Sequence, residues 1–453
     1  MIFNFLFLNI VCLIINIFIL FRTSKAFYGP LFFGNAISCI FSSFVPIDLF
    51  FNLPIRVSKD FGKIIVDKFT IEAIGMSSIF CISLTLISLI FIKFLPIRNL
   101  EKESIKPIHN ILNYQINYSR KNINKIIILV FIFGLLLFSL DYILVSEKIT
   151  DSLGSYKHER IAARSGSLLL SLLSYAYNVF SALCTVCILY SKTYKDKLIK
   201  VIFPFVLLTA LYYSQTSNII IWLIVYFLKY SKHFFPKLKN LLLFFVPTFS
   251  LMYLGLNIKV LANIFWISEN SSILSFITLK EKLIGINNFY FSKFEGLSAF
   301  EVTRYLLENK KALNAFNGLP ILDSIKAFNI FNSHTSISSF YTEYIRGELP
   351  GSFSFSPIAE CYLATKSIYL APLLAAFIFV VVIYSVSLSK NKWLILILIQ
   401  YILRFNRLDL YSSFRRYFVV EMLAVLISLI LIKYFTKIKY KNFISNFTYM
   451  KFK

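Results

Sequence analysis

Arginines in the polar connections between apolar runs are the first residues whose type and spacing could do chemistry. Arg160 and Arg164 are four residues apart, so a helix would present both guanidinium groups on one face. Further arginines lie in one long polar stretch and around the last polar connection: Arg304, Arg346, Arg404, Arg407, Arg415 and Arg416. Because a guanidinium fork holds two phosphate oxygens at once, the set predicts a site for a diphosphate. Anchoring to lipid headgroups, or pairing with Asp409, Glu159 and Glu343, is the alternative.

A carboxylate, Glu360, follows a Gly- and Ser-rich turn that ends in Ser356 and Pro357. Proline suits the first position of a helix, so the pattern predicts Glu360 on the first turn of a helix that enters the membrane. An acid there is expensive unless it is paired or solvated. We consider two roles, pairing with an arginine and general-base catalysis on a sugar hydroxyl. A carboxylate that only interacts with the helix dipole is the alternative.

His334, in the segment Phe331–Ser336, is a candidate general base in the long polar stretch. An ordinary loop histidine is the alternative, and the same holds for His158. The sequence contains no Walker A motif, no HExxH motif and no dense cluster of His and Asp. We therefore expect no ATP-driven transport, no metal site and no cofactor.

The elements that must position these residues are apolar runs. Hydrophobic residues make up 58% of the 453 residues and charged residues 15%, and the mean hydropathy is +0.72. Soluble domains average about 45–50% apolar and about 25% charged residues, and no soluble core could bury this much apolar surface. The composition predicts an all-α, polytopic transmembrane helical bundle of about eleven spans, in a range of about ten to twelve. The spans are predicted near residues 2–21, 29–51, 73–95, 126–146, 168–190, 198–214, 217–230, 240–256, 367–388, 393–404 and 417–433.

The distribution of lysine and arginine sets the predicted orientation. Cations outnumber acids in one alternating set of segments: residues 22–27, 93–125, 192–200, 229–239, 390–392 and 433–453. The positive-inside rule places these segments in the cytoplasm, which puts the N-terminus outside and the C-terminus inside. The same rule accounts for the net charge of +25. Because no nucleic-acid-binding motif is present, we expect no nucleic acid as a partner.

By composition the chain divides into three parts. Residues 1–256 hold about eight predicted spans, residues 257–366 form a long polar loop on the outer face, and residues 367–453 hold the last spans and a basic tail. Within the loop, Ile273–Leu283 and Ala299–Leu313 are predicted to form short helices. Its many Phe and Tyr residues favour order, and a loop of this length is typical of a functional segment.

This layout resembles that of the bacterial O-antigen polymerases, which have about a dozen spans and one large periplasmic loop in the C-terminal half. Ser356–Leu363 looks like the family's segment of small residues and Ala-Glu-x-Tyr type that follows that loop. Tyr213–Ser217 looks like its short Ser-rich turn, although the arginine often seen within that turn is absent here. Arg407 to Arg416 resembles the family's late arginine before the last spans.

The resemblance implies a membrane glycosyltransferase of the bacterial inner membrane that works in lipopolysaccharide O-antigen biosynthesis. It would transfer a glycan from polyprenyl (undecaprenyl) diphosphate to an incoming lipid-linked repeat unit in the periplasmic leaflet. We expect a catalytic set of Glu360, Arg346 and Arg407, and a diphosphate- or substrate-binding set of Arg160, Arg164, Arg304, Arg416 and His334. No metal or nucleotide sugar would be needed. The expected partners are the lipid-linked oligosaccharide, membrane lipids and a regulator protein of chain length.

Two other classes of membrane protein share part of this pattern. An O-antigen ligase would use the same lipid-linked donor and would depend on an outer histidine such as His334. A flippase or other polysaccharide transporter would bind the glycan without reacting, and such proteins usually have short loops and charged residues in mid-span. A structural or receptor protein would leave the outer arginines without a role.

Overall fold

The computed structural model describes residues 1–22, 29–52, 66–94, 120–146, 168–191, 196–212, 216–230, 297–316, 318–328, 336–346, 355–388 and 392–436. In these segments all regular secondary structure is helical, which confirms the predicted helical class. The α-helices are α1 (Ile2–Arg22), α2 (Gly29–Phe50), α3 (Lys68–Phe94), α4 (Arg120–Ser146), α5 (Leu168–Tyr190), α6 (Lys197–Tyr212), α7 (Thr216–Lys229), α8 (Leu297–Glu308), α9 (Lys310–Ala315), α10 (Pro320–Ile325), α11 (Ile337–Arg346), α12 (Pro357–Thr365), α13 (Leu370–Leu388), α14 (Lys392–Arg404), α15 (Leu410–Phe414) and α16 (Met422–Thr436). The segments Lys326–Phe328 and Phe405–Arg407 are 3₁₀ turns, and Arg415–Glu421 is a π-helix.

Long apolar helices mark the chain as a membrane protein. Among the described residues, six helical segments are long and apolar enough to cross a bilayer: Ile2–Leu20, Gly29–Phe50, Lys68–Lys93, Asn122–Leu140, Leu370–Ser387 and Leu410–Thr436. Helix α14 has 13 residues, about 20 Å at 1.5 Å per residue, which is shorter than a hydrocarbon core of about 30 Å. The eleven predicted spans therefore remain a prediction, and the one near residues 240–256 lies outside the described residues.

The distribution of side chains is the reverse of that in a soluble bundle. On α1 the side chains of Phe3, Phe7 and Ile14 are more than half exposed, whereas Asn9 and Asn16 are fully buried. A lipid solvent favours this arrangement, because apolar side chains face the acyl chains without penalty and polar groups pair between helices. The exposed apolar faces therefore support placement of these helices in a bilayer.

The chain splits into two compact units. The first unit is Met1–Ile111 with Asn287–Val420, and the second is Leu112–Ile286 with Glu421–Lys453. In the first unit the described helices are α1 to α3 and α8 to α15, and in the second they are α4 to α7 and α16. All residues of the candidate site that the structure describes belong to the first unit.

In the first unit, α1, α2 and α3 pack through layers of similar side chains. Cys12, Cys39 and Cys81, one from each helix, form a buried thiol layer. One turn earlier on α1, the Asn9 amide donates a hydrogen bond to the Ser42 carbonyl of α2 at 3.3 Å. These contacts place α1 and α2 antiparallel, since the residue number rises on one helix as it falls on the other.

An amide layer follows one turn beyond the thiol layer on α1. Asn16 donates to the Thr85 hydroxyl at 2.8 Å, and Asn35 donates to Asn16 Oδ1 at 3.0 Å and to the Ser88 hydroxyl at 2.8 Å. Asn16, Asn35 and Ser88 are fully buried. Interhelical hydrogen bonds of this kind contribute about 0.6–2 kcal/mol each in membrane proteins. The layer therefore fixes the register of three helices at once.

In the second unit, a buried lysine closes the C-terminal end of α5. The ammonium group of Lys229 on α7 donates to the carbonyls of Ile188 and Ser191, each at 2.5 Å. The last carbonyls of a helix have no partner within the helix. A cation at this end also interacts favourably with the helix dipole. Lys229 thus satisfies both requirements with one side chain.

One sequence prediction about helix boundaries in the loop needs correction. The single helix predicted over Ala299–Leu313 is two helices, α8 and α9, because Asn309 leaves the helical conformation and caps α9 by accepting from two backbone amides. The side-chain Oδ1 of Asn309 accepts from Lys311 N and Ala312 N, each at 3.1 Å. The predicted helix Ile273–Leu283 lies outside the described residues.

Candidate functional site

Helix α12 is the short element that carries Glu360. Ser356 caps it, as the Ser-Pro sequence predicts, by accepting from Ala359 N at 3.1 Å, and Pro357 occupies its first turn. The helix ends after Thr365, where Lys366 takes a left-handed conformation with φ 53°. Helix α12 is therefore not continuous with the span that follows: a left-handed residue stops it, and α13 starts separately at Leu370.

The carboxyl group of Glu360 contacts the start of α15. Its Oε2 accepts a hydrogen bond from Leu410 N at 2.6 Å, and the residue has no exposed surface. Its Oε1 has no hydrogen-bond partner in the described part of the chain. The hydroxyl of Tyr401 on α14 lies within electrostatic range of Glu360 and is also fully buried. Glu360 therefore faces the protein interior.

Asp409 is the second buried carboxyl group at the junction between α12 and the start of α15. It is the N-cap of α15 and accepts from Ser412 N at 2.6 Å and from the Ser412 hydroxyl at 3.0 Å. It also accepts from Ser338 N at the start of α11 at 3.3 Å. Aspartate is among the residues favoured at this position, so the sequence Asp-Leu-Tyr-Ser contained a signal for the cap that our arginine-pairing interpretation missed.

Both carboxyl groups have a pKa above that of an ordinary acid. Burial raises the pKa of Glu360 well above its usual value, the charge of Asp409 raises it further, and the Leu410 amide opposes these effects. Burial also raises the pKa of Asp409, although hydrogen bonds from Ser412 and Ser338 oppose it. Because Asp409 accepts three hydrogen bonds and Glu360 accepts one, the arrangement favours the proton on Glu360.

Arg304, on α8, forms an ion pair with the residue that precedes α3. Its Nη2 lies 2.6 Å from Asp67 Oδ2, its Nε donates to the Thr70 hydroxyl at 3.0 Å, and its Nη1 lies 3.6 Å from Glu308. Partial burial acts to raise the pKa of Asp67, but the hydrogen bonds from Arg304 and Thr70 outweigh it and lower the pKa from 3.8 to about 2. Pairing, which the sequence left as an alternative for the arginines, is the state observed for Arg304.

A small cleft lies beside α12 in the first unit. It has a volume of about 50 Å³ and is lined by side chains from α2, α3, α8 and α12 and by Asn406. Its hydrogen-bonding groups include Ser42, Ser77, Thr303 and Ser356, and the last two hydroxyls are 3.4 Å apart. A typical small-molecule site has a volume of about 300–1,000 Å³, so this cleft is too small for a sugar ring as it stands.

The structure describes some of the remaining predicted site residues fully, some by their backbone only, and some not at all. Arg346 is the last residue of α11 and Arg407 the last residue of the 3₁₀ turn before α15, and only their backbone is described. Arg416 is half-buried in the π-helix. Arg160, Arg164 and His334 lie outside the described residues.

Two elements that carry predicted arginines meet at Asp409, and a third follows it in the chain. The cap residue follows the 3₁₀ turn of Arg407, contacts the start of the helix that ends in Arg346, and precedes the π-helix of Arg416. Asp67 and Tyr401, which sequence reasoning did not select, belong to the same unit. No short motif marks either of them, because their partners are far away in the sequence.

Comparisons with protein-family models, with curated proteins and with solved structures found no match to this chain. Within the described segments, no three or more His, Cys, Asp or Glu side chains are grouped so that they could hold a metal ion.

Proposed function

We propose that this chain is an O-antigen polymerase, which joins lipid-linked repeat units into polysaccharide at the periplasmic face of the bacterial inner membrane. The observation that supports this most directly is the hydrogen bond of 2.6 Å between Glu360 and Leu410 N. The two segments that carry the family resemblance, Ser356–Leu363 and Arg407–Arg416, are far apart in the sequence and in contact in the fold. Segments that jointly form one site are expected to meet in this way.

The proposed reaction is attack of a sugar hydroxyl on the anomeric carbon of the donor glycan. A new glycosidic bond forms, the bond to the diphosphate oxygen breaks, and the hydroxyl proton is released. Polyprenyl diphosphate leaves with both electrons of the broken bond and gains negative charge. Cations that are already in place stabilise this charge more in the transition state than in the ground state. No metal is required for such a step.

We assign the diphosphate to the arginines around the Asp409 junction. Arg407 precedes the cap residue by two positions, Arg346 ends the helix whose start contacts it, and Arg416 follows in the π-helix. Arg346 and Arg407 thus lie on two elements that meet at Asp409, and Arg416 lies on the helical segment that follows α15 in the same unit. Arg160, Arg164 and His334 complete the proposed set from outside the described residues.

The proposed topology has more spans than the six apolar helical segments of the described residues. It has about eleven spans, the N-terminus in the periplasm, the C-terminus in the cytoplasm, and residues 257–366 as a periplasmic loop. Cysteine labelling with an impermeant reagent at residues 257–296 and 437–453 tests this orientation. Labelling of the first segment in intact spheroplasts, and of the second only after lysis, is the expected result.

The decisive experiment is the lipopolysaccharide ladder of a strain that lacks the gene. Loss of the ladder with retention of a single repeat unit on the surface lipid is the expected result. Accumulation of lipid-linked polymer without transfer to the surface lipid would instead indicate a ligase, and absence of both polymer and single unit would indicate an exporter.

Complementation then tests the assigned arginine. Arg407→Ala is expected to remove the ladder, because about 10²–10³-fold in rate is lost when one electrostatic contact to a transition state is removed. Lys311→Ala, which removes an exposed cation from α9, is the matched control and is expected to leave the ladder unchanged. Normal protein level in both strains is required, and a normal ladder with Arg407→Ala would remove Arg407 from the site.

A further inference from the structure

The surroundings of Glu360 do not suit a group that reacts with substrate. The residue has no exposed surface, and one of its oxygens is occupied by Leu410 N at 2.6 Å. A general base must come within hydrogen-bond distance of the hydroxyl that it deprotonates, either directly or through one water. A fully buried carboxyl group on α12 has no such approach, so its role must act through the groups that it contacts.

What Glu360 contacts is the first amide of α15. The first amides of a helix lack partners within the helix and need an acceptor from elsewhere. In α15 the amide of Leu410 is satisfied by Glu360 and the amide of Ser412 by Asp409. One acceptor thus comes from the cap residue itself, and the other comes from a separate helix 50 residues earlier in the sequence.

The protonation state follows from the groups that face Glu360. The negative charges of Asp409, at the cap of α15, and of Asp323, on α10, both raise the pKa of Glu360. The neighbouring group from α14 is the hydroxyl of Tyr401. No cation is among the described groups that shift its pKa, and these groups together favour the neutral carboxyl. A neutral carboxyl accepts the Leu410 amide through its carbonyl oxygen, as a glutamine side chain would.

We propose that Glu360 is a positioning residue, whose buried carboxyl group holds the start of α15 and thereby fixes the 3₁₀ turn that carries Arg407. The role of this clamp in catalysis rests on the proposed function, whereas the clamp itself does not. Arg407 lies three residues before Leu410, so loss of the hydrogen bond releases the arginine together with the turn. Of the two roles considered for Glu360 from the sequence, pairing with an arginine and general-base catalysis, this assignment replaces the second.

Two substitutions separate a clamp from a base. Glu360→Gln keeps the carbonyl oxygen and matches the neutral acid in shape, whereas Glu360→Ala removes the acceptor. Polymerisation is measured in membranes of the deletion strain that carry each variant, supplied with lipid-linked repeat units extracted from that strain. For a clamp, Glu360→Gln retains activity to within about threefold and Glu360→Ala loses about tenfold or more. The pH profile of Glu360→Gln matches that of the wild type.

The opposite pattern overturns the proposal. A general base contributes about 10²–10⁴-fold, so a loss of that size in Glu360→Gln, with the protein folded and at normal level, assigns proton transfer to Glu360. A changed acidic limb in its pH profile leads to the same conclusion.

A second measurement tests the clamp without activity. Hydrogen–deuterium exchange of peptides that cover Leu408–Phe414 is compared between wild type, Glu360→Gln and Glu360→Ala in detergent. Exchange about tenfold faster in Glu360→Ala alone supports the clamp, and equal exchange in all three proteins rejects it. If the deletion strain keeps its ladder, the proposed function fails while this result still stands.

Discussion

The Arg304–Asp67 ion pair gives the sharpest prediction about an arginine that was first assigned to substrate. Arg304→Ala removes contacts of 2.6 Å to Asp67 and 3.0 Å to the Thr70 hydroxyl. The Arg304 side chain is 11% exposed, so its partners lose contacts that water replaces only in part. We expect the substitution to lower stability and to affect polymerisation only through the amount of folded protein.

The size of the effect follows from the exposure of the two partners. Hydrogen bonds to charged groups contribute about 1.5–3 kcal/mol when shielded, whereas exposed ion pairs contribute about 0.2–1 kcal/mol. The Asp67 side chain is 32% exposed, so solvent screening reduces the value for the pair. We expect Arg304→Ala to lose about 1–2 kcal/mol, or about 2–4 °C in melting temperature.

The buried cysteines of the protein can report the melting temperature. All six cysteines are free and buried, so a thiol-reactive fluorophore reports unfolding in detergent. A double-mutant cycle with Asp67→Asn should show a coupling energy of about 1 kcal/mol. Glu308→Gln is the control, since its contact is 3.6 Å and its side chain is 51% exposed, and it should change stability by less than about 0.5 kcal/mol.

One outcome would refute this reasoning. If Arg304→Ala melts at the wild-type temperature and yet abolishes the ladder at normal protein level, then Arg304 binds substrate in a conformation different from the one described. Zero coupling with Asp67→Asn would show that the ion pair contributes nothing to stability.

Three further effects are expected from the same assay. Because the pKa of Asp67 is lowered from 3.8 to about 2, its pairing with Arg304 stabilises the fold fully above about pH 4 and weakens as the pH falls towards 2. A pH series should show this loss in the wild type and not in Arg304→Ala. Asn35→Leu removes the central donor of the amide layer and should lower stability by about 1–3 kcal/mol, and equal melting with the wild type would reject the layer. Gly134→Leu should lower it by at least about 2 kcal/mol, because even a Cβ there lies 3.0 Å from the Phe180 ring, and a normal melting temperature would show that the rings can move.

The sequence predicts elements well where the signal is local. Apolar runs locate α1 to α4, α13 and the last span, and Ser356 with Pro357 locates the start of α12. The end of α12 was not predictable, since Lys366 adopts a left-handed conformation that usually calls for glycine or asparagine. The last span was predicted to begin near residue 417, but helical structure starts at Leu410 and includes a π-helical stretch.

The site was predicted less well because its contacts are distant in sequence. Residue type alone selects Glu360 and Arg304, but not the partners that decide their roles. Glu360 finds an amide 50 residues away, and Arg304 finds Asp67 across a separation of 237 residues. A charge pattern cannot distinguish an arginine that binds a phosphate ligand from one that pairs with a carboxylate of the protein, since both roles use the same side chain.

The layered packing of α1, α2 and α3 has a consequence for biogenesis. Every partner in the thiol and amide layers lies within the first 94 residues, and the most distant pair in the amide layer, Asn16 and Thr85, is 69 residues apart. Since an unpaired amide is expensive in hydrocarbon and chains fold from the N-terminus during synthesis, these three helices can assemble as soon as α3 has been inserted. These three helices can thus be assembled before α8 to α15, which follow some 200 residues later in the chain.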